Sequence, residues 1–342
     1  MFFHFFTEKK SRKTIAFSLV SWYNTFKDIR AYRECCFLCI PYAAEQTQSK
    51  MKDIKSGGII IMKKILSLVL VVIMAAMALA SCGGSGEPVA KVIDIALTEE
   101  EYAFGVDKTQ PELLDQVNAF LSEIQSNGKF DEICNNYFGD GTPVAVSSAA
   151  EDASKDQLIV ATNASFEPFE YMEGDKYLGI DMEIAAALAE YLGKELVISN
   201  MDFDAVCLSV GLQKCDIAMA GLTVNEERTE YVTFSNSYYS ASQKLIVPAS
   251  NTEFDACTTA ADVEAILNAK DASTVIGVQN GNTAQFYIEG SEDWGFAGLP
   301  CTCTGYKAAS QAVQDMVNGN IQFVITDAAP AAAIVESINE MN

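Results

Sequence analysis

From Leu158 onward, short apolar runs alternate with amphipathic stretches. Leu158-Ile159-Val160-Ala161-Thr162 is continuously apolar, the pattern of a strand covered on both faces in a parallel sheet. Between Asp181 and Leu192, the residues Ile184, Ala187, Leu188, Tyr191 and Leu192 share one helical face, and Gly193 stands where a C-capping glycine belongs. The spacing then predicts a strand at 195–199, a helix at 203–213, and strands at 216–220 and 244–247. After Pro248 the same grammar restarts, with a strand at 274–278, helices at 284–289 and 306–318, a strand at 321–326 and a helix at 329–338. Repeated βα order implies two α/β lobes, each a mostly parallel sheet flanked by helices, with a boundary close to Pro248. Ligands of such open sheets collect beyond the carboxyl ends of the strands. That rule selects Asn163, Gly221 to Thr223, Gln279 to Thr283, and Asp327 as site candidates.

Charge sharpens the picture. The 342 residues carry a formal charge of −23, too acidic for a nucleic-acid binder. Residues 1–82 hold 12 basic and 5 acidic side chains, leaving 11 and 41, or −30, for the rest. The one histidine is His4 and the one arginine after Cys82 is Arg228. A Ser-His-Asp triad, a Cys-His pair and a His-ligated zinc are therefore excluded downstream, and neither a metal nor a cofactor is expected.

The basic front has its own logic. Residues 62–81 read as a lipoprotein signal peptide, with Lys63 and Lys64 before the apolar run Ile65–Ala80. Leu79-Ala80-Ser81-Cys82 resembles a lipobox, which makes Cys82 the lipidated N-terminus that holds the protein on the extracytoplasmic side of a membrane; residues 82–90 form a tether. Ser56-Gly57-Gly58 can be encoded by a ribosome-binding sequence upstream of Met62, so residues 1–61 are expected to be untranslated or unstructured.

A guanidinium matches a carboxylate bidentately, and Arg228 lies in a short loop after a strand. Around it the chain resembles the extracytoplasmic solute-binding proteins of polar amino-acid ABC transporters, a two-lobed periplasmic-binding-protein-like fold joined by two hinge crossings. The resemblance rests on Thr162-Asn163-Ala164-Ser165-Phe166-Glu167-Pro168-Phe169-Glu170, Leu178-Gly179-Ile180-Asp181, Met201-Asp202-Phe203, Cys215 to Thr223, Glu227-Arg228 and Phe234-Ser235-Asn236-Ser237-Tyr238-Tyr239. It implies that Arg228 clamps the α-carboxylate of an amino acid, with the backbone N–H groups of Thr223 and Thr283. Asp327 pairs with the α-ammonium, and the Thr223 hydroxyl and Gly221 carbonyl accept further hydrogen bonds. Phe166 and Phe203 form aromatic walls, and Asn163 and Gln279 face the side chain. With a neutral residue at Asn163, the expected ligand is uncharged and polar or modestly apolar.

The family closes with a strand, a hinge and two helices, whereas this chain stops at Asn342. Residues 91–98 resemble the missing last strand of the second lobe, and residues 99–138 the hinge and closing helices of the first. Pro111 at the start of one helix and Gly128 past its end support that helix independently. We therefore expect a circular permutation, the rival being a truncated tandem pair whose front piece is a remnant. A linker at 139–157 would join the old termini, 158–248 would form the first lobe and 249–342 the second. The 18 residues Gly139–Asp156 reach at most ~60 Å. The six later cysteines are expected to be free thiols, and Cys207 and Cys215 lie in apolar surroundings. The mechanism implied is hinge closure of a monomer about crossings near Lys244–Ala249 and Ala96–Phe104, followed by delivery to an ABC permease. Rival readings are a dehydratase of the cyclohexadienyl type with Glu167 as its acid, a sensor domain, and a receptor for a non-amino-acid carboxylate.

Overall fold

The computed structural model describes residues 87–342, all within a compact unit that begins at Gly84. Met62, the signal peptide and Cys82 lie outside the described residues. Along the chain come β1 (Ala90–Ile93), β2 (Glu100–Tyr102), β3 (Gly105–Asp107), α1 (Pro111–Ser126), α2 (Lys129–Phe138), β4 (Gln157–Thr162), β5 (Tyr171–Glu173), β6 (Lys176–Leu178) and α3 (Ile180–Leu192). There follow β7 (Glu195–Asn200), α4 (Val206–Gly211), β8 (Ile217–Ala218), β9 (Val232–Phe234), β10 (Tyr239–Ala241), β11 (Gln243–Pro248) and α5 (Ala260–Asn268). The chain continues through β12 (Val275–Gln279), α6 (Thr283–Glu289), β13 (Thr302–Tyr306), α7 (Ala309–Val317), β14 (Phe323–Asp327) and α8 (Ala328–Glu340).

Two five-stranded sheets result, ordered β7-β4-β8-β3-β9 in the first lobe and β1-β11-β14-β12-β13 in the second. Each has two parallel and two antiparallel pairings, an even split where the βα rhythm predicts mostly parallel sheets. The antiparallel pairings come from β3, from β1, and from β11 running down from the hinge. The front segment is thus part of both sheets, with β3 interior between β8 and β9 and β1 on the edge beside β11.

Helix α1 buries Leu113, Val117, Phe120, Leu121 and Ile124, one face at helical spacing. That face joins Ile133 of α2 and Ile184 and Leu188 of α3 in one core against Leu158 and Val160 of β4. The opposite side of the first sheet packs on Val206, Cys207 and Val210 of α4. In the second lobe Leu245, Ile276 and Ile325 face α5 and α6, while Ile246 and Val324 face α7 and α8. Alternate residues of β11 and β14 point to opposite faces, so both faces are apolar and both are covered.

Between the lobes, β2 and β10 form an antiparallel ribbon that belongs to neither large sheet, with Tyr239 opposite Tyr102 and Ala241 opposite Glu100. Only Ser242 separates β10 from β11. The crossing expected at Lys244–Ala249 therefore moves to Ser242, and Pro248 marks the far end of a second-lobe strand. Because β10 and β11 form one nearly continuous extended run, no turn residue announces the change of lobe. Three further expectations shift. The helix at 203–213 divides into a 3₁₀ turn at Phe203–Ala205 and α4; the strand at 216–220 shortens to β8; and the helix at 306–318 begins only at Ala309. Tyr306 instead closes β13, an edge strand without a buried residue, whose sequence Thr-Cys-Thr-Gly-Tyr lacks an apolar signature.

Residues 139–156 hold no helix or strand, yet they follow the rim of the first lobe. Val146 bridges Tyr177, and the Ala149 and Ile198 amides donate to Leu196 O and Ser148 Oγ at 2.9 and 2.8 Å. At the other end of the molecule, Asn339 of α8 accepts from the Val89 and Ala90 amides at 2.8 and 3.1 Å and donates to Ala90 O at 3.0 Å. Cys134, Cys207, Cys215, Cys257, Cys301 and Cys303 are free thiols, with Cys207 and Cys215 buried. Among the described residues no helix is long and apolar enough to cross a membrane.

Candidate functional site

The nine candidate residues come from strand ends and loops on both lobes. Buried among them are Asn163, Phe166, Thr223, Arg228, Gln279, Thr283 and Asp327. Gly221 is buried as well, while Phe203 is only partly so. Hydrogen bonds tie Arg228, Thr223 and Thr283, and through the β11–β14 pairing Asp327, into one strip running across the interlobe contact.

At one end lies Arg228. Its Nη1 donates to Thr223 O at 2.8 Å within the first lobe, and Nη2 donates to Gly281 O of the second lobe at 3.0 Å. These use two of the five N–H groups of a guanidinium. The cation rests between two aromatic faces, 5.3 Å from the Phe203 centroid and 5.4 Å from that of Trp294. Trp294 was not among the sequence candidates; it stacks on Phe286 at 5.1 Å in a segment with no strong periodicity.

Next to it, the Thr223 and Thr283 hydroxyls, one from each lobe, both donate to Glu100 Oε2, at 2.6 and 2.9 Å. Glu100 is the second residue missed by sequence reasoning. It sits in β2 within the run Glu99-Glu100-Glu101-Tyr102, where period-2 alternation was the available signal: Glu100 and Tyr102 are buried and Glu101 is exposed. Asn282 caps α6 by accepting from Gln285 N at 3.2 Å, which sets Thr283 as the first helical residue.

The far end is acidic. Asp327 closes β14, and its Oδ1 accepts from Tyr102 Oη at 2.6 Å. It occupies the N-cap position of α8 without a side-chain capping bond, so its carboxyl is not used to end the helix. Burial, and then the neighbouring Glu100 charge, push Asp327 up to about 7. Gln243, its strand partner in the β11–β14 register, donates to Glu100 Oε1 at 3.0 Å.

Asn163 and Gln279 meet across the lobes, Gln279 Nε2 donating to Asn163 Oδ1 at 2.9 Å. Asn163 also donates to Met201 O at 2.6 Å and accepts from Ser165 Oγ at 2.6 Å. This corner is therefore built of amides rather than charges. Gly221 adopts φ +52°, and a Cβ there would lie 2.8 Å from the Phe166 ring, so only glycine fits. Its N–H donates to Asp181 Oδ2 at 2.9 Å, and Tyr238 Oη donates to Oδ1 at 2.7 Å. Asp181 thus holds the loop carrying Thr223 and Arg228 from behind. Burial pushes its carboxyl up to about 7, against the pull of those two donors. Glu167, the acid of the dehydratase reading, is exposed, and its charged neighbours are Glu173 and Glu336 rather than any of these residues. Among the described residues no cluster of His, Cys, Asp and Glu is arranged to hold a metal ion.

Residues 158–333 match the bacterial extracellular solute-binding proteins, family 3. The arginine-binding extracellular protein ArtP of Bacillus subtilis (strain 168) is 35% identical over 105 residues, 31% of this chain and 41% of ArtP. ABC transporter arginine-binding protein 1 of Escherichia coli (strain K12) is 27% identical over 184 residues, 54% of this chain and 66% of that protein. The chain thus spans less than two thirds of the length of these relatives. A crystal structure of the ancestral amino acid-binding protein AncCDT-1, a precursor of cyclohexadienyl dehydratase, aligns over 54% of this chain and 74% of its own at 28% identity and a TM-score of 0.45. With its match extending over more than half of its length, the chain belongs to the family 3 bacterial extracellular solute-binding proteins.

Proposed function

We propose that the protein is a lipid-anchored receptor that captures a free α-amino acid between its lobes and hands it to an ABC permease, with no covalent chemistry. The observation that carries this reading is the strip from Arg228 through Thr223, Glu100 and Gln243 to Asp327, a fixed cation and a buried acid at opposite ends of a two-lobed contact. A zwitterion has one anion and one cation, and its two headgroups are what such a strip is built to read. The curated relatives carry arginine-binding names. Here the Asn163–Gln279 amide pair at the side-chain corner favours an uncharged polar ligand, because an amide pair offers no countercharge to a guanidinium.

Hinge closure about Ser242 and the segment between β1 and β2 would bring the lobes onto the ligand. Thermal-shift screening against the twenty amino acids tests the reading, with neutral polar amino acids giving the largest rise in Tm. If no α-amino acid raises Tm, the receptor reading falls; if arginine leads, the neutral-ligand reading falls. Membrane attachment rests on Cys82, and a Cys82→Ser chain is expected in the soluble fraction of cells where the unaltered chain pellets with membranes.

The order of segments is also proposed to be a circular permutation of the family order. Two contacts support it. The strand β3 enters the first sheet from outside the matched residues 158–333, and Asn339 holds the start of β1 beside the end of α8. A chain rebuilt with residues 88–138 placed after Asn342 should fold and bind the same ligand; failure to fold would count against it.

A further inference from the structure

The strip contains a charged residue to which the amino-acid reading assigns no task. Glu100 lies on the hinge ribbon rather than in either lobe, and its two oxygens accept four hydrogen bonds: Oε2 from Thr223 and Thr283, and Oε1 from Thr98 Oγ1 at 2.5 Å and Gln243 Nε2 at 3.0 Å. A carboxylate accepts and does not donate, whereas a hydroxyl has one proton and two lone pairs. The Thr223 proton is therefore directed at Glu100 and that of Thr283 at Glu100 or, at 3.3 Å, at Thr223 Oγ1, so each hydroxyl is left with only lone pairs to offer anything else in the cleft. Whatever touches Thr223 Oγ1 and Thr283 Oγ1 must donate. An ammonium meets that demand; a second carboxylate does not.

We propose that Glu100 is the positioning residue that turns the two interlobe threonines into acceptors and so makes the cleft select an amine next to the ligand's carboxylate. This rests on the amino-acid reading above. The hinge is the natural seat for such a group, because a side chain there can draw one hydroxyl from each lobe at the same time. Tyr102, two residues along the same face of β2, reaches Asp327 in the same way.

Titration calorimetry on the full mature chain tests it, using the amino acid that gives the largest thermal shift and its analogue with hydrogen in place of the α-amine. Glu100→Gln keeps the shape but brings an N–H donor, so at least one threonine must turn its proton away. Affinity for the amino acid should fall about tenfold or more while affinity for the analogue changes less than about threefold. Glu100→Asp should recover part of the difference. A merely structural role would lower both affinities by one factor and leave their ratio fixed, and that outcome overturns the proposal, as does an unchanged Glu100→Gln. Should Glu100→Gln not fold, Thr283→Val takes its place, because it removes one of the two oriented hydroxyls; an unchanged ratio there also overturns the proposal. If the unaltered chain binds the analogue as well as the amino acid, amine selection itself is absent and the proposal falls. Absence of binding to any α-amino acid instead refutes the receptor reading.

Discussion

The two ends of the interlobe strip are built from different materials. At the Arg228 end a permanent cation is held by two backbone carbonyls and flanked by two aromatic rings. None of those partners carries a titratable group in contact with the guanidinium. At the Asp327 end the partners are side chains of the hinge ribbon and of β11, and burial with a neighbouring carboxylate pushes Asp327 up to about 7. One end is fixed in charge by its partners, and the other is adjustable by proton.

The largest effect should come from removing the anchor. Arg228→Ala takes away the cation proposed to clamp the ligand's carboxylate, and truncating one partner of a buried charge pair costs about 2–5 kcal/mol, or roughly 30-fold and upward in Kd. Calorimetry on the variant checks this, and a loss below about threefold would remove the anchor from the comparison.

The adjustable end should show itself in pH. An ammonium stabilises the charged form of Asp327, while below about 7 the free protein holds that proton. Binding then expels it, so affinity should rise by up to about tenfold per pH unit below 7 and level off above. Asp181 is also pushed up to about 7, but its donors, Gly221 N–H and Tyr238 Oη, belong to the protein, and it exchanges no proton for ligand. Asp327→Asn should flatten the pH profile and weaken binding at pH 8. A slope that survives in Asp327→Asn would assign the proton to another group.

At both ends the charged group was legible in the sequence and a residue packed beside it was not. Arg228 stands out because no other arginine follows Cys82, and Asn163, Gly221, Gln279 and Asp327 follow from the rule that sites lie beyond strand ends. Glu100 and Trp294 obey no such rule. Glu100 opens a three-residue strand and pairs with Ala241, 141 positions further along the chain (241 − 100); only the pairing turns it inward. The same limit applies to the fold. Helix α1 carries a full apolar face and could be read locally, and α3 only in part, since Ile184 and Leu188 of its predicted face are buried but Tyr191 is exposed; β13 and the Ser242 crossing are set by their neighbours in space.

A smaller effect concerns what the side-chain corner will accept. Asn163→Asp brings a charge to an amide corner, and charged hydrogen bonds are worth about 1.5–3 kcal/mol against about 1 for neutral ones. The ratio of arginine to glutamine affinity should rise about tenfold. Absolute affinity for a neutral ligand should fall, since an aspartate cannot donate to Met201 O as Asn163 does. A ratio that does not move would place the ligand's side chain elsewhere.

The smallest effect tests whether the rings around Arg228 contribute more than packing. Phe203 comes from the first lobe and Trp294 from the second, so the guanidinium gains its second aromatic face only where the lobes meet. Trp294 is half-buried and has its own stack with Phe286 and Phe296, which Trp294→Leu disturbs without opening a large void. A cation over a ring at a partly exposed site is worth about 0.5–1 kcal/mol, or roughly two- to fivefold in affinity. Phe203→Leu should cost a similar amount. The two losses should differ in kinetics: Trp294→Leu removes a contact made on closure and should act mainly through a faster ligand off-rate, whereas Phe203→Leu alters the first lobe before closure and should also lower the on-rate. Stopped-flow measurements on both variants separate the two, and identical kinetic signatures would mean that the rings serve one preformed site rather than an anchor completed by the second lobe.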